Sequence, residues 1–204
     1  MILSHIVGFI GFYTPFLQPY FQRLVPFHLL LMAVILILNH TNKDKRFWGF
    51  FIGVTITGYL IEVIGVKTGW IFGNYTYGQT LGFKIFDVPL MIGINWALLV
   101  YATGYMMKLT PFKTDFLKSL GGACLLVLLD IWLEQVAVVF DYWSWQSNDI
   151  PFQNYFGWFV FSFLMLKFFY LFKFDQQQQQ GTLAMAIYTL QLLFFIGLNL
   201  TVVS

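Results

Sequence analysis

Two carboxylic acids interrupt a long apolar stretch of this sequence. Asp130 and Glu134 lie in the run LLVLLDIWLEQVAVVF, which starts at Leu125. An acid inside a membrane-crossing segment is costly, so by default it indicates a functional site that faces the interior of a helix bundle. On one helix the two side chains lie about 6 Å apart along the axis, and Asp141, offset by only about 20° from Asp130, extends the stripe. The alternative is that these acids only hydrogen-bond to neighbouring helices and hold the bundle together.

Few other polar groups lie in apolar segments. Glu62, Asn95 and His28 complete the set that is able to move a proton or bind a polar atom there. Burial disfavours the charged form of a carboxyl group, and a second acid nearby acts in the same direction. One acid can therefore stay protonated at neutral pH and serve as a general acid toward an apolar substrate. We expect His28 to be a packing residue, whereas Asn95 either links two helices or contacts substrate.

Residue counts exclude several types of site. Three histidines in all are too few for the histidine clusters of membrane desaturases or the Glu-x-x-His pairs of ferritin-like proteins. The last apolar segment, residues 183–203, has no lysine for a retinal Schiff base, and no phosphate-binding glycine loop is present. We expect no metal ion, no retinal and no nucleic-acid partner.

The composition predicts an integral membrane protein. Of 204 residues, 59% are hydrophobic and only 10% are charged, which fits one transmembrane domain spanning residues 1–204. Aromatic residues reach 21%, more than the two membrane interfaces require. We expect the surplus to line a hydrophobic cavity, although dense helix packing would use it equally.

Hydropathy predicts an all-α bundle of about seven transmembrane helices, or six if the first apolar segment does not span. That segment contains Pro15 and Pro19, which predict a kink, and a tight hairpin is expected around Arg23. The predicted spans are residues 2–22, 24–39, 47–65, 89–107, 116–140, 155–172 and 183–203.

Three connections have distinct compositions. Residues 66–88 and 141–154 are rich in Gly or aromatic residues and are predicted to be ordered loops. Residues 173–181 form a Gln-rich polar link, expected to be a flexible tether. Within the first loop, Tyr75 and Tyr77 alternate, so they either point together into a cavity mouth or cap the membrane interface.

Basic residues divide unevenly between the two predicted faces. With seven spans, eight Lys or Arg residues lie toward the N-terminus and the links at 40–46, 108–115 and 173–181, and three lie toward the long loops. The positive-inside rule therefore predicts a cytoplasmic N-terminus and long loops that face outward.

Two blocks of sequence resemble a known family. The first is EVIGVKTGWIFGNYTYG, residues 62–78, followed by Gly82 and the pair Val88 and Pro89. The second comprises DIWLE, YWSW and IPFQNYFGW within residues 130–158. In this order they resemble the carotenoid biosynthesis family that contains carotenoid 1',2'-hydratase and bisanhydrobacterioruberin hydratase.

The resemblance implies a cofactor-independent hydratase in the inner membrane of a bacterial or archaeal cell. It would add water across the terminal C1=C2 double bond of an acyclic (ψ-end) carotenoid such as lycopene, with the membrane-embedded carotenoid, water and the lipid bilayer as its partners. Depth along the helix favours Asp130 as the proton donor, with Glu134 and Glu62 holding or activating water. The residues expected to contact substrate are Tyr75, Tyr77, Trp143, Trp145, Asn95, Asn154 and Trp158. The alternatives are a non-catalytic carrier of carotenoid or another isoprenoid lipid, and a different enzyme acting on the same lipids.

Overall fold

The computed structural model describes residues 1–147, 149–173 and 181–203, and it contains an all-α membrane bundle with two short β-pairs. The helices are α1 (Ile2–Tyr13), α2 (Gln18–Asn39), α3 (Lys45–Thr68), α4 (Leu90–Lys108), α5 (Asp115–Val139), α6 (Phe152–Phe172) and α7 (Gly181–Leu198), which continues as a π-helical turn, Asn199–Val203. Most of the predicted Gln-rich link, residues 174–180, lies outside the described residues.

The first predicted span is wrong in its bounds. The helix is interrupted at residues 14–17. Helix α2 starts at Gln18 and continues through Arg23, so no hairpin is centred on Arg23. Pro19 lies in the first turn of α2, where a residue without an N–H costs nothing. At 12 residues α1 is about 18 Å long, too short for a bilayer core of about 30 Å. Six helices of the described chain, α2 to α7, are long and apolar enough to cross, which confirms the six-span alternative. With six spans the start of α2 lies on the same face as the two long loops, so the cytoplasmic N-terminus predicted from seven spans is not compatible with long loops that face outward.

Helix α4 forms the centre of the bundle. It packs against α2, α3, α5, α6 and α7. A larger share of its apolar stretch is buried inside the protein than in any of the other five membrane-spanning helices. Two of its neighbours start at capping side chains: Asp44 accepts from the N–H groups of Arg46 and Phe47 at the start of α3, and Thr114 accepts from Leu117 at the start of α5. These caps set where the two acid-bearing helices begin.

The two long loops meet at one end of the bundle. Strand β1 (Tyr75–Tyr77), from the first loop, pairs antiparallel with β4 (Trp143–Trp145), from the second. Strands β2 (Lys84–Ile85) and β3 (Val88–Pro89) form a separate short hairpin that leads into α4. The β1–β4 pair therefore lies over the ends of α3 and α5, the helices that contain the acids.

Candidate active site

A cavity of about 280 Å³ lies inside the bundle beneath the β1–β4 pair. Its wall is mostly aromatic and aliphatic, and both Glu62 and Glu134 line it. Exposed Val7 and Leu24 line it as well, so the cavity reaches the lipid-facing surface between α1 and α2.

Glu62, on α3, is buried and accepts three hydrogen bonds. The hydroxyls of Tyr75 and Tyr77 donate to Oε2 at 2.6 and 2.8 Å, and Trp96 Nε1 donates to Oε1 at 3.1 Å. Gly58, one turn before the acid, permits this arrangement because a Cβ there would lie 2.6 Å from the Cβ of Trp96. A glycine at this position lets α4 approach closely enough for its indole to reach Glu62.

Glu134, on α5, is buried and also accepts three hydrogen bonds. Trp143 Nε1 and Trp145 Nε1 donate to Oε2 at 2.9 Å each, and Asn154 Nδ2 donates to Oε1 at 2.8 Å. Every donor is an N–H group that has no acceptor capacity, which differs from the tyrosine hydroxyls around Glu62.

Strand geometry explains why each strand serves one acid. Side chains two residues apart on a strand share a face, so the tyrosines of β1 and the tryptophans of β4 all point inward. The register pairs Tyr75 with Trp145 and Tyr77 with Trp143, with ring centroids 5.1 and 6.0 Å apart. We call these four side chains the aromatic roof.

Asp130 lies one layer behind the cavity. Asn154 Nδ2 donates to its Oδ2 at 2.8 Å as well as to Glu134, so one amide bridges the two acids of α5. Asp130 is buried but does not line the cavity, and its Oδ1 has no hydrogen-bond partner among the described residues.

The predicted stripe of three acids is wrong at Asp141. Helix α5 ends at Val139, and Asp141 has a positive φ of 57°, so the helical wheel does not extend to it. Its exposed carboxylate instead accepts the N–H of Gln79 and holds the two loops together.

Three further candidates line the cavity. The Asn95 side chain forms no hydrogen bond within residues 1–147, 149–173 and 181–203, so it does not link helices there. Trp158 stacks on Trp96, with centroids 4.4 Å apart and planes at 20°. His28 packs edge-on against His5 at 4.8 Å.

The roof phenols remain protonated far into the alkaline range. Burial, followed by the nearby Glu62 carboxylate, raises the pKa of Tyr75 and of Tyr77 well above the usual value for tyrosine. Both hydroxyls therefore keep their protons at neutral pH. Among the described residues, no group of three or more His, Cys, Asp or Glu side chains is arranged to hold a metal ion.

Trp96 is the site residue that sequence reasoning missed. Its sequence neighbourhood on α4 is apolar and resembles ordinary core. The available signal was Gly58, because a small residue one turn from a buried acid marks where a neighbouring helix approaches closely.

Comparison with known proteins identifies a family and one related sequence. The profile of the family described as carotenoid biosynthesis protein matches residues 22–204. Bisanhydrobacterioruberin hydratase from Haloarcula japonica is 31% identical over 123 residues, which cover 56% of this chain and 42% of that relative, less than half its length. No solved structure matches. Since the family profile covers most of its length, the chain belongs to the carotenoid biosynthesis protein family.

Proposed function

We propose that this protein is an intramembrane hydratase that adds water to the terminal C1=C2 double bond of an acyclic carotenoid. The observation that supports it best is the pair of buried glutamates in one apolar cavity, each held by its own set of donors beneath an aromatic roof. The family and a relative named as a hydratase favour a carotenoid-modifying reaction.

Glu62 is the proton donor in this proposal. A tyrosine hydroxyl both donates and accepts hydrogen bonds, so either tyrosine can turn to accept a hydrogen bond from a protonated Glu62 Oε2. Glu62 can then exist as acid or carboxylate without losing its partners. A group that must release and regain a proton needs this tolerance.

Glu134 acts as the carboxylate partner. Two indole N–H groups and one amide N–H surround it, and all three favour the ionised form. Its charge stabilises a cation in the cavity and its free lone pair on Oε1 is available to hold the attacking water. Asn95, which lacks a protein partner within the described residues, is suited to orient that water or the substrate.

The reaction then balances in three steps. Glu62 transfers its proton to C2, and the electron pair of the double bond leaves a tertiary cation at C1. The faces of Trp143 and Trp145 stabilise this cation. Water forms the C1–O bond and gives its extra proton to Glu134, and the cycle closes when that proton returns to Glu62.

Asp130 has a supporting role in this scheme. It does not line the cavity, so we assign it to holding the Asn154 amide against Glu134 rather than to proton donation. This assignment replaces the one that depth along the helix favours, because access to substrate outweighs depth.

Substrate access from the bilayer is consistent with the cavity. Its lipid-facing opening lies between α1 and α2, and the roof covers it from the loop side. A volume of about 280 Å³ is at the small end for ligand sites, so it suits one end of a long polyene with the remainder in the membrane. The excess of Lys and Arg on the face opposite the long loops further favours an orientation in which these loops face outward.

The test is product analysis in cells that make lycopene. Wild type should yield a product heavier by one water, and Glu62→Gln and Glu134→Gln should yield none at normal protein abundance. Asp130→Asn should keep measurable activity, because an amide oxygen still accepts from Asn154. Full loss of hydratase activity in a normally folded Asp130→Asn variant would indicate instead that Asp130 is the proton donor.

A non-catalytic carrier is the second candidate. Its support is that the two glutamates anchor the roof, which a purely structural role would also require. In that case wild type forms no hydrated product, and all three substitutions lower protein abundance together.

A further inference from the structure

The cavity has a second polar wall, remote from the roof. Ser4 and His5 of α1, His28 of α2 and Gln191 of α7 line it, and we call them the distal cluster. On α7 and the π-helical turn that continues it, the Tyr188 hydroxyl donates to the Leu125 carbonyl and Asn199 Nδ2 donates to the Trp132 carbonyl. Gln191 lies between these two residues, so it is beside a part of α5 that precedes Glu134 and is farther from the roof. The distal cluster also lies on different helices from the glutamates.

Gln191 lacks a protein partner in the described part of the chain. Its side chain is 8% exposed and lines the cavity, yet no described residue hydrogen-bonds to it, and the same holds for His28. A buried amide without partners costs free energy, so such groups in folded proteins are normally paired with water or a ligand.

The chemistry of this cluster favours a neutral hydroxyl. An amide offers both donors and an acceptor. His5 Nδ1 lies 2.9 Å from the Met1 carbonyl, which only accepts, so Nδ1 has the proton and Nε2 is an acceptor. No lysine or arginine is among the described residues that line the cavity.

The wall between the two polar regions is apolar. Leu29, Leu129 and Leu133 line it, so a ligand that reaches both regions must have an apolar body. We propose that Gln191, together with His28, which lines the same cavity, forms a second subsite that binds a hydroxyl oxygen, on the isoprenoid ligand or as a water held for the reaction. The proposal rests on the proposed function only in taking an isoprenoid end as the occupant of the cavity.

The test uses the purified full chain in detergent. Quenching of tryptophan fluorescence by energy transfer measures binding of lycopene and of its singly hydroxylated analogue, and turnover of lycopene is measured beside it. Gln191→Leu removes the amide at similar size. Gln135→Leu, on the exposed side of α5 and outside the cavity, is the matched control. Gln191→Met, with a flexible side chain, serves if Gln191→Leu folds poorly.

Two results support the subsite and identify its occupant. If the subsite binds a ligand hydroxyl, Gln191→Leu weakens binding of the hydroxylated analogue about 3- to 10-fold, which corresponds to the loss of one hydrogen bond, and leaves lycopene binding unchanged. If it binds water, both ligands bind as before while turnover falls by a similar factor.

The inference is overturned if Gln191→Leu and Gln191→Met match the control in both binding and turnover. Failure of the hydratase proposal is separate, because the binding measurement needs no activity. If Gln191→Leu selectively loses binding of the hydroxylated analogue while wild type forms no hydrated product, the subsite is supported and the hydratase reaction is rejected.

Discussion

The two roof tyrosines should stabilise the protein non-additively, because both hydroxyls donate to the same oxygen of Glu62. In Tyr75→Phe or Tyr77→Phe the other hydroxyl, 2.6 or 2.8 Å from Oε2, remains. Each single substitution should therefore cost about one net hydrogen bond, roughly 0.5–1.5 kcal/mol. Phenylalanine retains the ring contacts with the tryptophans, so little packing is lost.

The double variant leaves Oε2 buried without a donor. That adds the desolvation cost of an unsatisfied acceptor, about 1–3 kcal/mol, to the sum of the two single effects. Unfolding of the four proteins in mixed detergent micelles, followed by circular dichroism, gives the coupling free energy. Tyr170→Phe, whose hydroxyl donates to the Gly104 carbonyl far from Glu62, should combine additively with Tyr75→Phe. Additivity of the two roof substitutions within about 0.5 kcal/mol would refute the shared-acceptor reasoning.

Three further predictions concern packing, titration and topology. Gly58→Ala should lower the free energy of unfolding by about 1–3 kcal/mol and reduce hydratase activity, since its Cβ would lie 2.6 Å from Trp96. Gly53→Ala, whose nearest atom is 3.4 Å away, should be tolerated, and equal stability of the two variants would contradict the close approach of α4. In absorbance titrations the two roof tyrosines should ionise well above pH 10. Folding therefore favours their neutral forms, and their contribution to stability is present below about pH 10 and lost as the pH rises above it. Replacing both with Phe should remove only phenols that titrate late, and loss of phenols that ionise near pH 10 would contradict this prediction. A reporter after Lys45 should lie in the cytoplasm and a tag within residues 78–84 outside, and the reverse result would contradict the orientation.

Helices α3 to α6 could be predicted to within a few residues because each is a long apolar run that a membrane requires to be helical. The pairing of Asp130 with Glu134 on one face also follows from helical periodicity. The first span failed for a physical reason. A proline in the first turn of a helix starts it rather than kinks it, and hydropathy alone does not distinguish the two.

The layering of the site depends on tertiary contacts. Periodicity places Asp130 and Glu134 on one stripe, but only the packed structure shows that Glu134 lines the cavity under the roof indoles whereas Asp130 does not line it. The partner of Glu62 on α4 depends on an interhelical approach, and Asp141 leaves the stripe because α5 ends two residues earlier. Each of these outcomes results from packing between distant segments, which local pattern does not encode.

Isotope labelling of the product tests the central claim most directly. When the purified protein acts on lycopene in deuterated, oxygen-18-labelled water, the account predicts one deuterium bonded to C2 and one oxygen-18 at C1, with both labels lost in Glu62→Gln because no product forms. A hydroxylated product without deuterium at C2, or with oxygen that does not come from water, would contradict proton transfer to the double bond followed by water attack.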